Sequence, residues 1–151
     1  MISKKTKYAL NALVYLGRRY QKGPVLISQI AESERIPKKF LEFILLNLKN
    51  NGVLQSKKGK GGGYFLRRPP AEIIIGKIMR IFDGPLAPVS CASQTAYHKC
   101  EECRDEATCG IRAVMKEVRD AMANILDKTT LEDMVGRSVS LEQMKVHNYS
   151  I

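Results

Sequence analysis

Between Ser3 and Tyr20 the apolar residues Ala9, Ala12, Leu13, Leu16 and Tyr20 recur every three or four positions, the spacing of one helix face. Ser3 is placed to cap that helix and Gly23-Pro24 to end it. Ser28 can cap a second, short helix through Gln29, Ile30 and Ala31 to about Glu34, followed by a tight connection at Arg35-Ile36. Pro37 suits the first turn of a third helix, where its missing N–H costs nothing. That helix is expected to run to about Asn50, burying Phe40, Leu41, Ile44, Leu45 and Leu48, with Asn51-Gly52 as its stop. Two short helices joined by a tight turn form a helix-turn-helix. Val53-Leu54-Gln55-Ser56 and Tyr64-Phe65-Leu66 then read as two short strands around a glycine-rich hairpin, a β-wing.

Beyond Pro69-Pro70 the helical spacing returns. Residues 71–82 carry Ile73, Ile74, Ile78 and Ile81, an amphipathic helix ending at Asp83-Gly84-Pro85. Residues 84–108 have no clear period, and a loop of that length inside a small chain is usually functional. From about Cys109 a long helix places Ile111, Met115, Val118, Met122 and Ile125 at steps of four and three, a heptad pattern, widened by Val114, Ala121 and Leu126. A helix so far from the winged core has little left to cover, so the pattern predicts a dimer seam. Thr129-Thr130-Leu131-Glu132 fits a capping box for a short helix through Met134-Val135. The tail beyond Gly136, with His147, carries no signal. The expected architecture is mainly α: a winged helix-turn-helix (1–68), a connecting helix (69–83), a cysteine-bearing loop (84–109), a dimerisation helix with a short packing helix (110–136) and a tail (137–151).

Charge sharpens this division. The 151 residues carry a net +10 and are 44% hydrophobic, enough to bury a core. Residues 1–68 hold 15 Lys and Arg against Glu32, Glu34 and Glu42, a net +12, whereas residues 69–151 are net −2. A basic domain of this kind calls for an acidic partner such as nucleic acid or anionic lipid. No apolar run reaches the ~18 residues of a membrane span. Residues 1–7 lead into no apolar signal core, so a cytoplasmic protein without a membrane role is expected. Lys38, Lys39 and Glu42 face away from the buried stripe at the start of the third helix, where a reading helix meets phosphates and base edges. Lys57, Lys58 and Lys60 with Gly61 and Gly62 would bring the wing tip against a phosphate backbone or into a minor groove. The Lys/Gly run is not a phosphate-cradling Walker loop, because no Gly-Lys-Ser/Thr opens a helix there.

All four cysteines lie in the second half: Cys91, then eight residues, Cys100, two residues, Cys103, five residues, Cys109. In a reducing compartment such clustering points to metal or redox chemistry more than to structural disulfides. Thiolates suit iron–sulfur clusters and zinc, and a metal-free thiol switch fits the same residues. His98 is a further potential ligand. Cys109 at a helix N-terminus gains thiolate stabilisation from the dipole, and Lys99, Arg104 and Arg112 are opposed by Glu101, Glu102, Asp105 and Glu106. No His lies at nucleophile–base spacing and no carboxylate pair forms a catalytic motif, so an enzyme is not expected.

The chain resembles the Rrf-two family of winged-helix bacterial regulators, of the IscR, NsrR, RirA and CymR type, over residues 1–136. The resemblance rests on Lys7-Tyr8-Ala9-Leu10, on Ile30-Ala31-Glu32 and on Ile36-Pro37-Lys38-Lys39-Phe40-Leu41-Glu42 leading to Leu48. It continues in Gly59-Lys60-Gly61-Gly62-Gly63-Tyr64-Phe65-Leu66, the cysteine loop and Thr130-Leu131. It implies a homodimeric repressor or activator binding a palindromic operator in double-stranded DNA. Ser28, Lys38, Lys39, Phe40, Glu42, Lys57, Lys58, Lys60, Gly61 and Gly62 would then lie at the DNA. It also implies an iron–sulfur cluster, of the 2Fe-2S type, on Cys91, Cys103 and Cys109. The family's fourth-ligand positions are here Arg112 and Tyr8, neither a good ligand, and Cys100 is the candidate replacement. Zinc, or no metal, are the alternatives, in a regulator of cysteine or sulfur metabolism acting by thiol chemistry or through a protein partner.

Overall fold

In the computed structural model, which describes residues 1–150, Ser3 starts the first helix by accepting the Thr6 N–H on its Oγ at 3.2 Å. Helix α1 (Lys4–Gly17) buries Ala9, Ala12, Leu13 and Leu16. It stops at Gly17, short of the Gly23-Pro24 end expected from the sequence. The N–H groups of Arg19 and Tyr20 bond back to Leu16 and Gly17, tightening the last turn. The chain then reverses through Gln21 and Gly23, both at positive φ, so that Val25 reaches the wing.

Helix α2 (Ile27–Glu34) begins one residue before its expected Ser28 cap. Leu26 is the cap position, and Gln29 Oε1 accepts the Leu26 N–H at 2.9 Å, so Ser28 lies inside the first turn and not at the cap. Arg35 in the left-handed region closes it. Helix α3 (Lys38–Asn50) buries Leu41, Ile44, Leu45 and Leu48. Phe40, expected on that stripe, is instead half exposed. It lies at the edge of the stripe, where its ring meets Tyr8 edge-on at 6.4 Å.

Strands β1 (Leu54–Lys57) and β2 (Gly63–Leu66) pair antiparallel in the register Leu54↔Leu66 to Lys57↔Gly63. Leu54 and Leu66 turn into the core. Two 2.8 Å bonds between Val25 and Tyr64 tie the wing to the approach to α2. A Cβ on Gly63 would lie 2.3 Å from the Val25 carbonyl oxygen, so only glycine permits this approach.

The helix expected over 71–82 is divided. A single 3-10 turn, Pro70–Glu72, comes first, and α4 (Ile75–Asp83) starts later. The β-branched Ile73-Ile74 between them stays extended. Leu131 N–H bonds to Ile73 O at 2.8 Å, and Ile75 N–H bonds to Thr129 O at 2.9 Å. Helix α5 (Gly110–Leu126) follows the cysteine loop, and α6 (Leu131–Tyr149) follows α5. Thr130 and Asp133 form the α6 capping box, with bonds of 3.1 and 2.9 Å. The expected short helix through Val135 therefore continues to Tyr149, because nothing breaks the backbone ladder at Gly136. Arg18 clamps Glu142 with two bonds, 3.1 and 2.8 Å, and pins this extension to α1. Ile151, the end of the tail, lies outside the described residues.

One core joins α1, α2, α3, the wing, α4 and Leu131 of α6. Each fully buried Leu or Ile there contributes about 1.5–3 kcal/mol relative to exposure. Helix α5 stands apart: none of its residues is buried. Among the described residues no helix is long and apolar enough to cross a membrane.

Candidate nucleic-acid interface and cysteine cavity

The core fixes which face of α3 is free. With Leu41, Ile44, Leu45 and Leu48 turned inward, Lys38, Lys39 and Glu42 are exposed at the helix start. Ser28 is exposed on α2. At the wing, Lys57, Lys58, Lys60 and Gly61 are exposed, whereas Gly62 is buried against the hairpin's own backbone, its N–H bonded to Gly59 O at 3.0 Å. Gly59 and Gly61 hold positive φ values of 84° and 75°, which close the tip. Among the described residues none of these five lysines enters an ion pair, so their charge is available to an external anion. Two large side chains on the free face of α3 escaped the sequence reading. Phe43 is 48% exposed and Leu46 49%. Their positions four and seven residues after Lys39 were the available signal, since they mark the face opposite the buried stripe.

The cysteine loop encloses a cavity of about 550 Å³ lined by Cys91, Cys100, Cys103 and Cys109 together. Cys100 is exposed, the other three are half buried, and all four are free thiols. A turn closed by Cys103 N–H on Cys100 O at 3.1 Å presents the C-x2-C pair. Cys109 is the N-cap of α5, its sulfur accepting the Arg112 N–H at 3.4 Å. Arg112 Nε donates to Cys91 O at 3.0 Å, and Arg119 donates to Ala92 O, so α5 grips the loop at Cys91-Ala92. Glu106 accepts the Tyr97 hydroxyl, which raises the Tyr97 pKa, and lies 3.9 Å from Arg112. Burial, then the negative charge of Glu106, pushes the Cys103 thiol above its ordinary value. His98 is not among the lining residues. Among the described residues no three Cys, His, Asp or Glu side chains converge closely enough to hold a metal ion. The soft donors that a cluster needs thus share one cavity, without the closed arrangement of a finished ligand set.

The profile of Rrf2, described as an iron-dependent transcriptional regulator, matches residues 2–137. The chain belongs to the Rrf2 family. It is 44% identical over 138 residues to an rrf2-like HTH-type transcriptional regulator of Rhodobacter capsulatus, covering 89% of this chain and 92% of that protein. The structure of CymR, the global cysteine regulator of Bacillus subtilis, superposes with a TM-score of 0.76 at 31% identity, over 91% of this chain and 97% of that one. IscR of T. potens superposes with a TM-score of 0.72 at 26% identity, over 91% and 88%. This Rrf2 protein is therefore a transcriptional regulator related to CymR and IscR, with their winged-helix fold, and it is not an enzyme.

Proposed function

We propose that this Rrf2 regulator acts in the cytoplasm as a homodimer that binds a palindromic operator and senses iron–sulfur, redox or nitric oxide status through its cysteine cavity. The observation that carries the reading is the double position of Cys109, which lines the cavity and caps α5. Chemistry at the thiols bears directly on the start of a helix whose apolar stripe is uncovered. Ile111, Val114, Val118 and Ile125 are 69, 54, 39 and 62% exposed, and a second copy of the helix is their natural cover. Lys38, Lys39 and Glu42 of α3 would then enter the major groove of each half-site, and the lysines of the wing would meet phosphates or the minor groove. A change in the loop shifts α5, alters the separation of the two reading helices and so alters operator affinity.

Cys91, Cys103 and Cys109, with Cys100 as fourth thiolate, are the residues that would hold a 2Fe-2S cluster. A bound cluster would supply one-electron redox chemistry and reactivity toward nitric oxide. The chain's own contribution is to gather the thiols, neutralise part of their charge with Arg112 and couple them to α5. A second reading is favoured by the open ligand arrangement and by the similarity to a global cysteine regulator. There the cavity works with zinc or without metal, by thiol chemistry or by docking a protein partner.

Anaerobic purification followed by iron, sulfide and zinc assays separates these readings. Iron and sulfide in equal amounts support the cluster, stoichiometric zinc rejects it, and a colourless metal-free protein selects the thiol reading. The sensor itself is tested by replacing Cys91, Cys103 and Cys109 with Ala. Operator binding should then stop responding to oxidant and nitric oxide, and a response identical to that of the unaltered protein would refute the cavity's role.

A further inference from the structure

We infer that Phe43 and Leu46 recognise thymine methyl groups in the major groove, making this regulator's operator choice depend on apolar contacts as well as on charge. The inference rests on the reading of α3 as the groove helix and adds the residues that discriminate among bases.

Lys39, Phe43, Leu46 and Asn50 follow steps of four, three and four, so they form one stripe along α3. Leu41, Ile44, Leu45 and Leu48 occupy the opposite face and are fully buried. The middle of the free face is therefore apolar, with Phe43 and Leu46 half exposed and a lysine at the stripe's leading end. A groove helix normally carries polar groups for base edges; here the stripe's own amide, Asn50, lies at its far end, and Asn47, beside the apolar pair, is already engaged. Asn47 Nδ2 donates to Phe43 O at 2.9 Å, so that side chain is folded onto its own helix. Lys5 Nζ lies 5.0 Å from the Phe43 ring centre, holding the ring from the α1 side and placing a cation next to it.

The occupant follows from this chemistry. A face with apolar centre and basic margin, on a domain of net +12, suits a polyanion that carries an apolar spot. In the major groove that spot is the C5-methyl of thymine, the one apolar group on any base edge. Phe43 and Leu46 lie one helical turn apart and so reach neighbouring base steps. Each would favour thymine over cytosine or uracil, which present no methyl.

Deoxyuridine tests the contact with a single deleted methyl and unchanged base pairing. An operator is first selected from randomised duplexes with the full-length protein. Each thymine in turn is then replaced by deoxyuridine in both half-sites. At one or two positions per half-site the unaltered protein should lose about fourfold for each methyl, roughly fifteenfold for the symmetric pair. Phe43→Ala should bind thymine and uracil sites alike at one of these positions, and Leu46→Ala at the neighbouring one. Phe43→Leu, which keeps apolar reach, should retain part of the preference and guards against a variant that fails to fold. Indifference to uracil at every position, or a thymine preference unchanged in both Ala variants, overturns the inference while leaving DNA binding intact. Failure to retain any duplex in any cysteine state removes the groove reading and this inference with it.

Discussion

Gly76 shows how one missing side chain sets an inter-helix contact. A Cβ there would lie 2.1 Å from Asp127 Oδ1, the atom that accepts the Arg80 guanidinium at 2.6 Å. The Arg80 hydrogen bond holds the Asp127 carboxyl below its ordinary pKa, with burial opposing. A depressed carboxylate pKa contributes stability that is fully present above the unfolded value and is lost as pH falls through the folded one. Both partners are about two-fifths exposed, so the pair is worth no more than about 1 kcal/mol. Gly76→Ala gains up to about 1 kcal/mol of helix stability and loses the pair. Its melting temperature at neutral pH should therefore stay within a few degrees of the unaltered protein, and its decline below about pH 4 should be shallower. An Asp127→Asn variant should flatten the acid limb in the same way while lowering neutral stability slightly. Thermal melts across that range measure both, and an unchanged acid limb in both variants would show that the pair contributes nothing to it.

At the scale of elements, α5 is the helix whose length and period were plain in the sequence and whose burial was not supplied by its own chain. If α5 forms the proposed dimer seam, placing a charge on its stripe should break the dimer without unfolding the winged domain, because α5 contributes no fully buried residue to the core. Val118→Asp strands a carboxylate in an apolar seam at a cost of several kcal/mol, or at least a hundredfold in dimer dissociation constant. Sedimentation equilibrium measures this directly, and a variant that remains dimeric at the same concentration would move the seam elsewhere. The elements misplaced from sequence were those decided by distant partners. Ile73-Ile74 has helical spacing, yet hydrogen bonds of residues 73 and 75 to Leu131 and Thr129 keep it extended. Gly136 looked like an end, yet the capping box at Thr130 and the Arg18–Glu142 clamp carry α6 to Tyr149. Ser28 had the right chemistry for a cap, but the helix starts at Ile27, with Gln29 accepting the Leu26 N–H. Conversely, Ser3 and the glycine hairpin were legible because their roles depend on near neighbours alone, whereas Pro37, expected in the first turn of α3, is its extended N-cap residue.

Across the whole molecule, charge and sulfur are segregated. The four thiols share one cavity in the half that is net −2, and the unpaired lysines lie on the half that is net +12. Cysteine spacing announced a common site, but not its openness, because loop geometry over residues 84–108 depends on how α5 grips it through Arg112 and Arg119. The basic half makes a quantitative prediction for the assembled regulator. If Lys38, Lys39, Lys57, Lys58 and Lys60 each neutralise a phosphate, a dimer releases about ten counterions, and log affinity should fall with log salt at a slope near −9. Replacing Lys57, Lys58 and Lys60 with Gln removes about six of the ten and should bring the slope to about −4. Base discrimination should survive that change under the proposed reading, in which the wing positions the protein and α3 reads the sequence. Fluorescence anisotropy on one operator and one scrambled duplex, over a salt series, gives both quantities. A slope unchanged by the triple substitution would place the wing away from the phosphates. A shallower slope with a preserved ratio between the two duplexes would assign affinity to the wing and specificity to the reading helix.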